Sequence, residues 1–168
     1  MATVEQQKLL NQLELFLKEA TSEEQSLVSD IITGLEAKRN GSFRTYIAAL
    51  TQMEGCFLDN GDYEVRLPIQ PLIENPLKMT HGGITATLLD TTMGSLVNRS
   101  LPVSQAAVTS EMNIHYIKPG IGQFLRCVAS LSHKGNNLCI TEAKVFNDQE
   151  KLIAMATATF FIIARPTE

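Results

Sequence analysis

Residues 79–95, MTHGGITATLLDTTMGS, decide the reading of this chain. His81, Gly82 and Gly83 open an apolar segment that carries a single carboxylate, Asp90. Between His81 and Asn98 there is no Lys, Arg or Glu, so nearly every face of the helix predicted here is apolar or small. A helix of that kind has to be covered on most sides. An ionised carboxylate buried in it without partners would be costly, so Asp90 is expected to face a cleft, to find hydrogen-bond donors or to hold a proton. Each of these is common in active sites. The plainer alternative is that Asp90 caps a helix restart with Thr91 and Thr92, or reaches the surface at one end.

The glycines add a second element. Bare amides at a helix N-terminus can hold a developing oxyanion, although a Gly pair before a helix is often only a turn. Gly83 and Asp90 are seven residues apart, about two turns, so they lie on similar faces but roughly 10 Å apart along the axis. One copy of the helix therefore does not readily bring both groups to one reacting carbonyl. If they cooperate, the acid comes from a second subunit whose helix runs antiparallel alongside, in a symmetric dimer with two equivalent sites.

Outward from the helix, the periodicity is that of strands. Four candidate strands follow Pro102, at 104–117, 123–133, 138–147 and 151–163, separated by the turn signals Pro119-Gly120, Gly135-Asn136-Asn137 and Asn147-Asp148. Short connections favour antiparallel neighbours. Upstream, residues 56–59 and 63–69 flank Asn60-Gly61, a dipeptide preferred in tight hairpins, and residues 70–80 form a linker with Pro71 and Pro76. The expected fold class is α+β: a strand hairpin, one buried helix and a four-strand meander, with the antiparallel sheet wrapped around the helix.

The first forty residues read as helices. Leu9, Leu10, Leu13 and Leu17 recur at three- and four-residue spacings, and a second helix begins at Thr21 or Ser22, with Glu24 and Gln25 for a capping box and Asn40-Gly41 as its stop. Ser42 is expected to cap a third helical stretch, FRTYIAALTQM. The expected division is an N-terminal helical hairpin over 1–41 and a main domain over 42–168. Within the hairpin, Lys8, Lys18, Lys38 and Arg39 are outnumbered by seven acidic residues, which disfavours a DNA-reading helix pair.

Bulk properties set the remaining limits. The length of 168 residues suits one domain with an appendage, and 44% hydrophobic with 19% charged residues is an ordinary globular balance. A net charge of −4 lacks a nucleic-acid footprint, no apolar run is long enough to span a bilayer, and the N-terminus does not read as a signal peptide. A cytoplasmic protein with no nucleic-acid or membrane partner is expected. Cys56, Cys127 and Cys139 are an odd set without paired spacing and are expected to be buried free thiols; His81, His115 and His133 are scattered, so no metal site is expected.

These residues resemble the hotdog-fold acyl-CoA thioesterases, in the phenylacetyl-CoA (PaaI-type) and thioesterase-superfamily-member-2-like branch. The resemblance covers roughly residues 55–163 and rests on Asn75, His81-Gly82-Gly83, Asp90 and a hydroxyl near the start of the next strand, Thr109. It implies a hotdog fold that self-associates as a dimer or tetramer and hydrolyses acyl-CoA to free acid and CoA, without a cofactor other than the CoA of the substrate. It further implies that the Gly83 N–H polarises the carbonyl and that Asp90 of the facing subunit activates water or attacks directly. Asn75 would position the carbonyl or the water, Thr109 would orient water, and His81 would support the loop leading to Gly82. Ser110 is the neighbouring alternative to Thr109, since strand alternation lets only one of them face the site. Lys118, Arg126 and the Lys134-Gly135-Asn136 turn are candidates for the CoA phosphates, and Met79, Leu89 and Met93 lie near enough to the motif to line an acyl pocket. Two rival readings differ in chemistry: a non-catalytic acyl-CoA sensor, which would have no need of Asp90, and a hotdog hydratase or dehydratase, in which a His commonly serves as base.

Overall fold

The computed structural model describes residues 3–166. The chain divides into two compact units between Leu50 and Thr51. The first contains α1 (Val4–Glu19), α2 (Ser22–Arg39) and most of α3 (Tyr46–Thr51). Thr3 with Gln6 and Thr21 with Glu24 form reciprocal capping boxes, so each helix starts where a side chain can satisfy its free amides. The hydrogen bonds from the Thr21 backbone and side chain hold the Glu24 carboxyl below its ordinary range. Gly34 is buried in α2, where a Cβ would stand 2.8 Å from the Ala49 carbonyl oxygen, so the close approach of α2 and α3 depends on its missing side chain. The cap of α3 is Thr45, whose hydroxyl accepts from the Ala48 amide, and not the expected Ser42; the Ser42 amide instead closes the end of α2 by donating to Ala37.

The second unit contains β1 (Glu54–Phe57), β2 (Tyr63–Pro68), α4 (Gly82–Ser100), β3 (Gln105–Tyr116), β4 (Phe124–Lys134), β5 (Leu138–Asn147) and β6 (Leu152–Ala164). The strands form one antiparallel sheet in the order β1-β2-β4-β5-β6-β3, packed on the central α4 in the hotdog arrangement. α4 buries Leu88, Leu89, Thr92, Met93, Leu96 and Val97. Each full burial of a side chain the size of leucine contributes about 1.5–3 kcal/mol. The sheet face that receives the helix carries Ala129, Ala143, Ala154, Ala156 and Ala158, all buried, and small side chains let the helix axis come close. Phe160 fills the remaining space against Gly94, where a Cβ would lie 3.3 Å from its ring.

The expected four-strand meander is corrected. β4, β5 and β6 do follow one another, but β3 pairs with β6 and not with β4. Three strand spacings separate β3 from β4, about 14 Å, and the seven-residue connection 117–123 can reach about 23 Å when extended. Pro119-Gly120 is therefore part of a crossing and not a tight hairpin. The crossing is pinned where the Thr80 amide donates to the Gly120 carbonyl at 2.9 Å and the Ile69 amide donates to Gln123. A side chain at Gly120 would stand 3.1 Å from the Thr80 Cβ. The cysteine expectation also needs correction: Cys127 and Cys139 are buried, but Cys56 is exposed on β1, at the sheet edge. Burial pushes the Cys127 thiol up to about 12. Among the described residues no helix is long and apolar enough to cross a membrane.

Candidate active site

The site grows from the start of α4. His81 is the N-cap, with extended backbone, and its Nδ1 accepts the Gly83 amide at 3.0 Å. This changes the expectation for Gly83, because the N–H that was to face a carbonyl oxygen is already engaged. The Gly82 amide, at the first helical position, has no intrahelical acceptor, and Gly82 lines a cavity of about 340 Å³. Its carbonyl accepts the Tyr116 hydroxyl at 3.0 Å, which joins the end of β3 to the start of the helix.

Asn75 borders the same cavity. Its Oδ1 accepts the Leu77 amide at 2.9 Å and the Met79 amide at 3.4 Å, and its backbone N–H donates to the Met79 carbonyl. An Asx-type turn of this kind holds the loop in one shape. It occupies Oδ1 and leaves the side-chain Nδ2 of Asn75 as the available donor. Met79, Thr85 and Lys118 complete this part of the lining. Leu89 and Met93, expected near an acyl group, are fully buried in the core instead.

Asp90 lies eight residues past Gly82, about 12 Å along the helix axis, and is not part of the cavity lining. Its Oδ1 accepts the Thr109 hydroxyl at 2.7 Å. The choice between Thr109 and Ser110 follows from the register. Thr109 pairs with Phe160 and Glu111 with Thr159, so Ser110 is the extra residue of a β-bulge. Cross-strand partners share a face, which places Thr109 on the helix side with buried Phe160. The Ser110 hydroxyl donates to the Thr159 carbonyl.

The cations expected near CoA separate. Lys134 donates to the Ser100 carbonyl at 2.7 Å, at the C-terminus of α4 where a positive charge complements the helix dipole. Gly135 closes the turn through its amide to Leu138, and exposed Asn136 sits beside it. These three residues gather at the opposite end of the helix from Gly82, about 27 Å away. Arg126 is held by Glu64 at 3.2 Å and by Glu150. Burial works against its charge, but the bonds to the two carboxylates outweigh this and raise its pKa further. Lys118 alone among these candidates borders the cavity. Among the described residues no three His, Cys, Asp or Glu side chains gather as metal ligands would.

Thr80, Thr85 and Tyr116 escaped the sequence reading. A signal existed for Thr85, which stands three residues after Gly82 and so on the same helical face. None existed for Thr80 or Tyr116, whose positions depend on where the crossing and β3 pass.

A family model described as "Thioesterase superfamily" matches residues 77–154, which include α4, β3, β4 and β5. Among curated proteins, the Escherichia coli medium/long-chain acyl-CoA thioesterase YigI is 27% identical over 95 residues, 49% of this chain and 61% of that protein. The Escherichia coli acyl-coenzyme A thioesterase PaaI is 27% identical over 99 residues, 58% of this chain and 69% of that protein. The match thus spans less than two thirds of the length of YigI. Among solved structures, the Bacillus halodurans protein BH2602, crystallised with CoA, is 52% identical with a TM-score of 0.85, covering 92% of this chain and 99% of that one.

Proposed function

We propose that this chain, which belongs to the thioesterase superfamily, hydrolyses acyl-CoA thioesters in a site shared between two copies. The observation that carries the reading is the division of labour along α4. The cavity beside the Gly82 amide holds amide and hydroxyl groups but no carboxylate, and the Asp90–Thr109 pair lies about two turns further on. β3, adjacent to Asp90 through Thr109, is an edge strand, paired with β6 on one side alone. Such an edge presents a row of free N–H and C=O groups to a partner. A second copy paired antiparallel along β3 would set its Asp90 against the first copy's Gly82, giving two equivalent sites.

In this arrangement the Gly82 N–H and the Asn75 amide nitrogen hold the thioester oxygen as it gains charge. Donors of this type contribute about 100- to 1000-fold. His81 shapes the loop by accepting the Gly83 amide, which commits its Nδ1. Asp90, with Oδ1 held by Thr109, uses its other oxygen to take a proton from water, and general-base action contributes about 100- to 10,000-fold. The water oxygen bonds to the carbonyl carbon, the carbon–sulfur bond breaks, and the thiolate leaves as CoA after taking up the proton. Lys118, which borders the cavity, would meet a CoA phosphate. The CoA bound to the relative from Bacillus halodurans supports CoA as the carrier, and a CoA ester suits a cytoplasmic enzyme.

The test is thiol release from a panel of acyl-CoAs by wild type and Asp90→Asn, with sedimentation to fix the oligomer. The variant should lose most of kcat with little change in KM. Mixing Asp90→Asn with an inactive Gly82→Val protein should restore part of the activity, because one hybrid site is intact. Full activity of Asp90→Asn, or an active monomer, refutes the reading.

A further inference from the structure

Two threonine hydroxyls of the cavity beside Gly82 make no hydrogen bond to a described residue, and that of Thr80 is also cut off from solvent. Thr80 is 6% exposed and its Oγ1 has no hydrogen-bond partner. Thr85 is 3% exposed, and its hydroxyl makes no hydrogen bond to a described residue. Both residues line the cavity, whose neighbouring wall is apolar through Met79, Ile117 and Ile153. Two other threonines on α4 behave differently: Thr87 donates back to Gly83 at 2.9 Å and Thr92 to Leu88 at 2.6 Å. A buried hydroxyl without a partner, as at Thr80, is destabilising, and a ligand that supplies the missing partner recovers that loss on binding; the Thr85 hydroxyl, still reached by solvent, is free to exchange water for the same ligand.

Position says which part of the ligand that would be. Thr85 follows Gly82 by three residues, so it stands on the same face about 4.5 Å further along the axis. With the thioester oxygen at the Gly82 amide, the next polar contact is offered about two carbons into the acyl chain. An oxygen on the third carbon of the acyl group is separated from the carbonyl oxygen by a span of that order. A threonine hydroxyl both donates and accepts, so it pairs with a hydroxyl or with a keto oxygen.

Building on the thioesterase reading, we infer that the Thr80–Thr85 pair selects acyl groups that carry oxygen on their third carbon, 3-hydroxyacyl or 3-oxoacyl thioesters, over the unsubstituted chain. Such a site discriminates because the unsubstituted chain leaves the Thr80 hydroxyl unpaired and strips water from Thr85 without replacing its hydrogen bond. One hydrogen bond of this kind gives a preference of about tenfold in kcat/KM.

The experiment compares thiol release from butanoyl-CoA with that from (R)- and (S)-3-hydroxybutanoyl-CoA. Wild type should favour at least one hydroxy ester by about tenfold. Thr85→Val should bring that ratio close to one, whereas Thr85→Ser, which keeps the hydroxyl, should preserve it. Where Thr85→Val does not fold, Thr80→Val carries the same comparison. A wild-type ratio at or below one for both enantiomers overturns the inference, as does a valine variant that keeps the preference. If no ester is hydrolysed, the thioesterase reading has failed. Calorimetric Kd values of the same three esters then decide this inference separately: a hydroxy preference lost in Thr85→Val supports it, and equal affinities overturn it.

Discussion

Replacing Thr109 by valine removes one hydrogen bond and almost no volume. In the native protein that bond, 2.7 Å from the hydroxyl to Asp90 Oδ1, holds one carboxylate oxygen and so determines where the other points. A hydrogen bond to a charged group contributes about 1.5–3 kcal/mol. At about 1.4 kcal/mol per tenfold in rate, its full loss from the transition state corresponds to a fall in kcat of about tenfold to a hundredfold. Stability should change much less, by about 1 kcal/mol or under, because Thr109 is exposed and Asp90 is half-buried, so water can replace the lost donor. The assay is steady-state thiol release with a thermal melt on the same samples. Thr109→Ser provides the control, since it keeps the hydroxyl and should retain most of kcat. A Thr109→Val enzyme with wild-type kcat, beside an inactive Asp90→Asn, would refute the positioning role. A serine variant as damaged as the valine one would show that shape and not the hydroxyl matters.

Three further outcomes follow from the packing and the cap. His81→Ala removes the Nδ1 acceptor of the Gly83 amide; losing a cap costs about 1 kcal/mol, so Tm should fall by about 2–4 °C, and His81→Asn should recover much of it in the same melt. Gly34→Val pushes a side chain into the Ala49 carbonyl oxygen, 2.8 Å from the nearest possible Cβ; overpacking of about 1–3 kcal/mol should lower the denaturant midpoint, and an unchanged midpoint would contradict the close approach of α2 and α3. In a thiol-reagent titration of the native protein at pH 8, Cys56 should be modified while Cys127 and Cys139 stay inert. Cys127 is both covered and held at about 12, leaving about one thiolate in ten thousand, and mass spectrometry showing fast modification of either buried cysteine would disprove the core assignment.

The helices and strands were legible because their signals are local. Thr21 and Glu24 cap a helix from within four residues of sequence, α4 announces itself by an apolar run opened by His81-Gly82-Gly83 with Asp90 as its one charge before Arg99, and the alternating strands after Pro102 were placed within a few residues of their observed limits. Hydrophobic period and capping chemistry act over one or two turns, so the chain need not be folded for them to be read. Asn75, His81, Asp90 and Thr109 could likewise be singled out, as a set of polar residues around one apolar helix.

Tertiary structure decided how these groups meet. Strand pairing is long-range, and a Pro-Gly signal cannot say whether a connection turns back or crosses the sheet; here it crosses, which puts β3 on the edge and carries Thr80, Tyr116 and Lys118 to one cavity. The bulge at Ser110 selects Thr109 for Asp90, and the imidazole of His81 takes the Gly83 amide, so that Gly82 holds the available donor. Lys134 goes to the far end of α4 for the same reason: a charge is drawn to the nearest unsatisfied carbonyls, and which those are depends on where the sheet lays its turn. Sequence alone determined which residues were candidates for the chemistry, because residue type and local period are written in the chain. Their partners were settled by register and crossing, which depend on the burial of the whole sheet against one helix.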